Sequence, residues 1–177
     1  MHATIEQMFY TNTCSPVKSF PMLAQVMAVI RDVVEADIPI FFEQQRDPEA
    51  RRMAVFPERE QSEFTAHWQK ILASDDVTKK TILAGREVAG NIVCFDRDDK
   101  RLVGYWLGRE FWGQGLATRA LAELLVEVTE RPLYAYVAKT NIGSARVLEK
   151  CGFELTDHRI RHEELGEVEE DLYVLKA

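Results

Sequence analysis

Three cysteines in 177 residues, Cys14, Cys94 and Cys151, are too few and too scattered to build a disulfide framework. None stands in a C-x-x-C pair, so no zinc site is expected and no metal is called for. A reducing cytoplasm is the expected home. Long apolar runs are also lacking. No stretch approaches the roughly 20 residues that a membrane span needs, and the N-terminus has no signal-peptide core. An excess of cations is missing too: 22 Lys and Arg stand against 29 Asp and Glu, a net charge of −7. That balance argues against non-specific nucleic-acid binding as the main activity. Neither repeats nor low-complexity linkers occur. What remains is an ordinary globular composition, 46% hydrophobic and 29% charged, in a chain able to enclose a sizeable core.

Residues 1–24, with Pro16 and Pro21 and no clear periodicity, read as a loosely attached arm, and 25–177 as a single domain. Val26–Val34 reads as the first strand. Asp37 is expected to cap a helix whose apolar face includes Ile40 and Phe41. Asp47-Pro48 starts another, with proline at its tolerated first position. Phe64, Trp68, Ile71 and Leu72 mark one face of a third helix. Thr78–Ala84 and Glu87–Phe95 form a hairpin through Gly85-Arg86, and Asp96–Lys100 turns into a strand at Arg101–Leu107. Two further strands are expected at about 154–162 and 167–175.

The segment Leu107–Thr118, LGREFWGQGLAT, sets two glycines at the junction of a strand and a helix. Behind them Leu116, Ala117, Ala120, Leu121, Leu124, Leu125 and Val128 repeat with the period of a one-faced helix. Leu133–Val137 is then a strand, so the unit is βαβ, with parallel strands and a right-handed crossover. A helix N-terminus gathers free N–H groups and the positive end of the dipole at one point, and Gly113 and Gly115 would let a phosphate approach the backbone there. On its own the glycine pair is a weak signal, equally met by a turn that only starts a helix. No Gly-Lys-Ser/Thr closes it as a Walker loop would, and the third glycine of a dinucleotide site is missing. Next, Asn141 reads as the N-cap of a short helix that Gly152 ends.

Together, Glu110-Phe-Trp-Gly113-Gln-Gly115 and Asn141-Ile-Gly-Ser144, closing on Gly152-Phe153, resemble the GNAT superfamily of CoA-dependent N-acetyltransferases. The wording is most similar to the branch that contains the ribosomal-protein N-terminal acetyltransferases. The resemblance is strong over residues 101–155 and extends in element order to about 26–175. It implies an α/β (α+β) fold with a mixed, mostly antiparallel sheet of six to seven strands flanked by helices, and a splayed parallel strand pair that holds CoA. It also implies acetyl-CoA as donor, CoA as product, and direct attack by a primary amine in a ternary complex. The acceptor would be a small molecule or a protein N-terminus, without nucleic acid or membrane as partner, and the protein a monomer or homodimer. Glu110 replaces the Gln or Arg of the family pattern, so its carboxylate must point away from the pyrophosphate.

On this resemblance the cofactor lies along Trp106, Leu107 and Gly108, where a main-chain N–H can also stabilise the oxyanion. Its pyrophosphate would meet Gly113, Gln114, Gly115, Leu116, Ala117 and Thr118, helped by Arg109 and Arg146, and its pantetheine would meet Asn141 and Ser144. Arg119 and Lys150 read as solvated helix-face charges. Many relatives protonate the leaving thiolate with a tyrosine, but here that position is Leu148. Ser144, one turn earlier, is the available hydroxyl. For the base, Glu169, Asp171 and Tyr173 alternate on one face of the last strand, and Glu43, Asp47, His67, His158 and His162 are further candidates. Proximity and water could also suffice without a base. The alternative is a non-catalytic acyl-CoA-binding or sensing module of the same fold.

Overall fold

The computed structural model describes residues 28–163 and 166–177. The arm read at 1–24 lies outside them. One seven-stranded sheet runs through the molecule in the order β1-β2-β3-β4-β5-β7-β6. The strands are β1 (Ala28–Asp32), β2 (Thr78–Ala84), β3 (Glu87–Arg97), β4 (Lys100–Leu107), β5 (Leu133–Ala138), β6 (Glu154–Glu163) and β7 (Gly166–Leu175). Every neighbouring pair is antiparallel except β4 and β5. Those two are parallel and pair only at Arg101–Leu133 and Leu102–Tyr134 before they part.

Side-chain alternation assigns the helices to the two faces. Ile92 and Cys94 of β3 and Val103 of β4 meet Leu116, Ala120, Leu121 and Leu124 of α4 (Leu116–Glu127), with Leu148 of α5 (Ile142–Lys150) on the same side. Burial of these apolar stripes is the main stabilising term. On the other face, Val88 and Val93 back a cluster of Ile38, Phe41 and Phe42 from α1 (Ile38–Arg46) with Phe64 and Trp68 from α3 (Gln61–Ala73). Between them α2 (Pro48–Ala54) begins with the Asp47 side chain accepting from the Ala50 N–H at 2.9 Å. The burial pattern of α3 is therefore the one its spacing predicts.

Two expectations at the start of the fold are corrected. The first strand ends at Asp32 instead of Val34, because Val34 already accepts from the Asp37 N–H at 2.9 Å in a 3-10 turn over Glu35–Asp37. Asp37 does stand before α1, but its carboxylate makes no forward cap bond. It turns back to the Val34 N–H, to the Arg31 guanidinium at 2.7 and 2.8 Å, and to the Thr81 hydroxyl at 2.6 Å. One buried carboxylate thus ties β1, β2 and the first helical turn together.

Candidate functional site

Where β4 and β5 separate, a cavity of about 350 Å³ opens. One wall is the end of β4, with Tyr105, Trp106 and Leu107; the other is the first turn of α5, with Asn141, Gly143 and Ser144. Glycine sets the position of the β4 end. A side chain at Gly90 would run into the Trp106 carbonyl oxygen, so β3 can press close there. The chain then turns with the Gly108 N–H bonded to the Ala89 carbonyl at 2.9 Å.

The turn into α4 lies at the mouth of this cavity, with Trp112, Gly113 and Ala117 in its wall. Gly113 and Gly115 hold φ of +73° and +77°, a left-handed conformation that L side chains rarely adopt. A Cβ built on either glycine meets no atom within 4 Å. The open backbone therefore faces space that a bulky anion can fill. Gln114 and Trp112 brace the turn through the Glu110 and Leu107 carbonyls at 2.9 and 3.1 Å. Leu116 and Ala117 are buried and root α4 in the core, whereas Thr118 is half-buried and its carbonyl accepts from the Cys151 thiol at 3.5 Å. Burial raises the pKa of Cys151, which marks it as a packing thiol. The Glu110 carboxylate folds back over Gly108.

Asn141 caps α5, its Oδ1 accepting from the Ser144 N–H at 3.0 Å. Ser144 faces Tyr105 across the slot, with 2.8 Å between their hydroxyl oxygens. The Tyr105 hydroxyl also lies 3.2 Å from the Ser144 carbonyl. Burial pushes the phenol pKa well above its ordinary value, and the Ser144 hydrogen bond only partly offsets this. Tyr105 therefore stays protonated and serves as a donor. Leu148, at the family's tyrosine position, is fully buried.

The sequence matches the acetyltransferase (GNAT) domain over residues 28–154. The chain belongs to the GNAT acetyltransferase family. Solved GNAT-fold structures agree in architecture. A RimL ribosomal L7/L12 alpha-N-protein acetyltransferase in complex with CoA superimposes with a TM-score of 0.71 at 18% identity, covering 85% of this chain and 94% of that one. An acetyltransferase of the GNAT family from Bacillus anthracis gives 0.73 at 16% identity, covering 85% and 95%. A spermidine N-acetyltransferase chimera built from Vibrio cholerae and human sequences gives 0.72 at 12%, covering 85% and 95%.

The remaining candidates from the sequence scatter around this GNAT slot. Arg109 is exposed, with its guanidinium 3.8 Å from Asp47, and Arg146 is exposed on α5. Glu169 and Asp171 are not in the cavity. They border a separate recess beside Lys139 and His158, to which they bond at 2.7 and 2.6 Å. Their companion Tyr173 is buried in the core against α5. The alternate residue of β7, Glu170, has both its oxygens held by Arg159 and Arg161 at 2.8 Å. Glu43 pairs with Arg46 and His162 with Glu167. His67 lies on the other face of the sheet, its pKa lowered by burial and then by Arg59 and Lys70. Sequence reasoning missed Tyr105. The available signal was its parity with Val103 and Leu107, which aims it at the α5 side. Among the described residues no group of His, Cys, Asp or Glu could hold a metal, and no helix is long and apolar enough to cross a membrane.

If Asn141 also donates to pantetheine, Asn141→Asp separates its two roles, because aspartate keeps the cap and loses the amide donors. The expected result is unchanged thermal stability with acetyl-CoA affinity lowered about fivefold to twentyfold, the worth of one or two hydrogen bonds. Normal affinity in calorimetry would leave capping as its only role.

Proposed function

We propose that residues 25–177 form one acetyl-CoA-dependent N-acetyltransferase domain that moves the acetyl group to a primary amine by direct attack in a ternary complex. The observation that carries this reading is the hydroxyl pair Ser144–Tyr105, set in the slot between the parting strands and beside the glycine turn. A module that only sensed acyl-CoA would need the turn and the slot but no oriented hydroxyl. The turn suits the pyrophosphate and the slot suits the extended pantetheine arm, with Asn141 alongside.

The unprotonated amine attacks the thioester carbonyl, its C–N bond forms, and the C–S bond breaks. The main-chain N–H of Leu107, which faces the β4 edge that β5 leaves while the Gly108 N–H is held by Ala89, stabilises the negative charge on the carbonyl oxygen. The leaving sulfur takes a hydrogen bond from Ser144. Either hydroxyl of the Tyr105–Ser144 pair can donate to the other, and when the Tyr105 hydrogen goes to Ser144 Oγ the serine hydrogen is free to turn toward the slot. The amine proton passes to water, since neither Glu169 nor Asp171 borders the slot.

Ser144→Ala is expected to lower kcat about tenfold to a hundredfold with little change in acetyl-CoA affinity, the lower range for proton-transfer assistance. The loss should shrink as pH rises and the thiolate needs less help. Tyr105→Phe should cost part of the same factor and add nothing to Ser144→Ala, because it acts through the serine. Full turnover by Ser144→Ala with a good acceptor would exclude the serine and leave water as the donor.

A further inference from the structure

A second cavity, of about 230 Å³, lies on the opposite face of the sheet and shares Tyr105 and Trp106 with the cofactor slot. Its floor is Asn91, Val93 and Phe95 of β3 with Gly104 of β4, where the missing side chain leaves room above the strand. Its walls are aromatic. Phe41 and Trp68 pack with ring centroids 4.9 Å apart, and Phe56 meets Trp106 edge-on at 6.0 Å. Such a lining favours a flat ring, which gains from edge and offset contacts beyond its buried area.

The charge of this recess is as informative as its shape. Arg59 borders it with its guanidinium carbon 5.0 Å from the Phe56 ring, and among the described residues no carboxylate pairs with it. No Asp or Glu stands among the described residues of the lining. The other titratable group facing inward from α3 is His67, which carries no negative charge in either protonation state. A guanidinium over an aromatic wall offers a planar fork that matches a carboxylate. The same cation repels a second ammonium.

Resting on the acetyltransferase reading above, we propose that this recess binds the acceptor, and that the acceptor is a primary amine carrying an aromatic ring and a carboxylate. The ring occupies the aromatic recess, the carboxylate meets Arg59, and the amine nitrogen passes Trp106 to reach the thioester. Linear polyamines are excluded, because they offer no ring and bring positive charge to Arg59.

The test compares 4-(aminomethyl)benzoate, benzylamine and spermidine as acceptors, with thiol release from acetyl-CoA as the readout and calorimetry as a check that acetyl-CoA binds. The carboxylate should raise kcat/KM over benzylamine by about tenfold, as one charge-assisted fork does. Spermidine should stay near background. In Arg59→Gln this advantage should fall to within about threefold through KM, and Arg59→Lys should restore part of it. Equal use of the two ring amines, an undiminished advantage in Arg59→Gln, or a preference for spermidine would each overturn the acceptor assignment while leaving the transferase reading intact. Bound acetyl-CoA with no thiol release for any amine would instead remove the transferase reading and this proposal with it.

Discussion

Gly115→Val is expected to weaken CoA binding about a hundredfold while the protein remains folded. The loss of roughly two charge-assisted hydrogen bonds, ~3 kcal/mol, gives that factor. The reasoning begins at the backbone. A branched side chain is strained at the φ of +77° that Gly115 holds, so the turn must reorganise and its N–H groups lose their common aim. The Cβ itself would meet no protein atom within 4 Å, so the core under Leu116 is left alone. Calorimetric titration with CoA measures the effect, and a thermal melt shows that α4 still packs. Unchanged affinity in a folded variant would move the pyrophosphate elsewhere.

The largest effect on stability is expected at Asp37. The residue is 3% exposed, and its carboxylate accepts from Arg31, Thr81 and the Val34 N–H together. Asp37→Ala would leave a fully buried threonine hydroxyl and a main-chain N–H without their acceptor. Breaking a buried pair costs about 3–5 kcal/mol, and the part-exposed Arg31, which water can still solvate, places this case near 3. Urea unfolding measures it, and a loss below about 1 kcal/mol would show that the cluster contributes little. The pH dependence has a definite sign. Burial alone would raise the Asp37 pKa, but hydrogen bonds from Arg31, Thr81 and Val34 outweigh it and hold the group below its ordinary value. The stabilisation is therefore complete above the ordinary carboxylate range and is lost as pH falls through the depressed value.

Much of the proposed CoA half of the site is legible in the sequence. Gly113 and Gly115 announce their backbone geometry because few other residues tolerate it, and Asn141 and Gly152 bracket α5 by local capping chemistry. The apolar period of α4 fixes which face it buries. These signals are short-range. The proposed acceptor half is not legible, because it depends on which face of a strand meets which helix. Glu169, Asp171 and Tyr173 do share a face, as their spacing indicates, but that face runs under α5, while Glu170 is aimed the other way and neutralised by two arginines. Since both parities of β7 contain polar residues, alternation could not choose between them. Tyr105 and Ser144 meet across 39 positions of sequence, and the recess beside Arg59 gathers residues from five separate segments. No local pattern encodes such meetings.

The parting of β4 and β5 has a consequence for the unliganded protein. A continuous sheet bares rows of main-chain donors and acceptors only along its two outer borders. This sheet gains two inner borders where the strands diverge beyond Leu102 and Tyr134. Such borders are templates for any extended chain and a route to unwanted self-association. On the proposed function, the amide-bearing arm of CoA acts as a surrogate strand that closes the gap. Cofactor supply then governs the colloidal behaviour of the protein as well as its turnover, and the empty enzyme is the form most prone to strand addition.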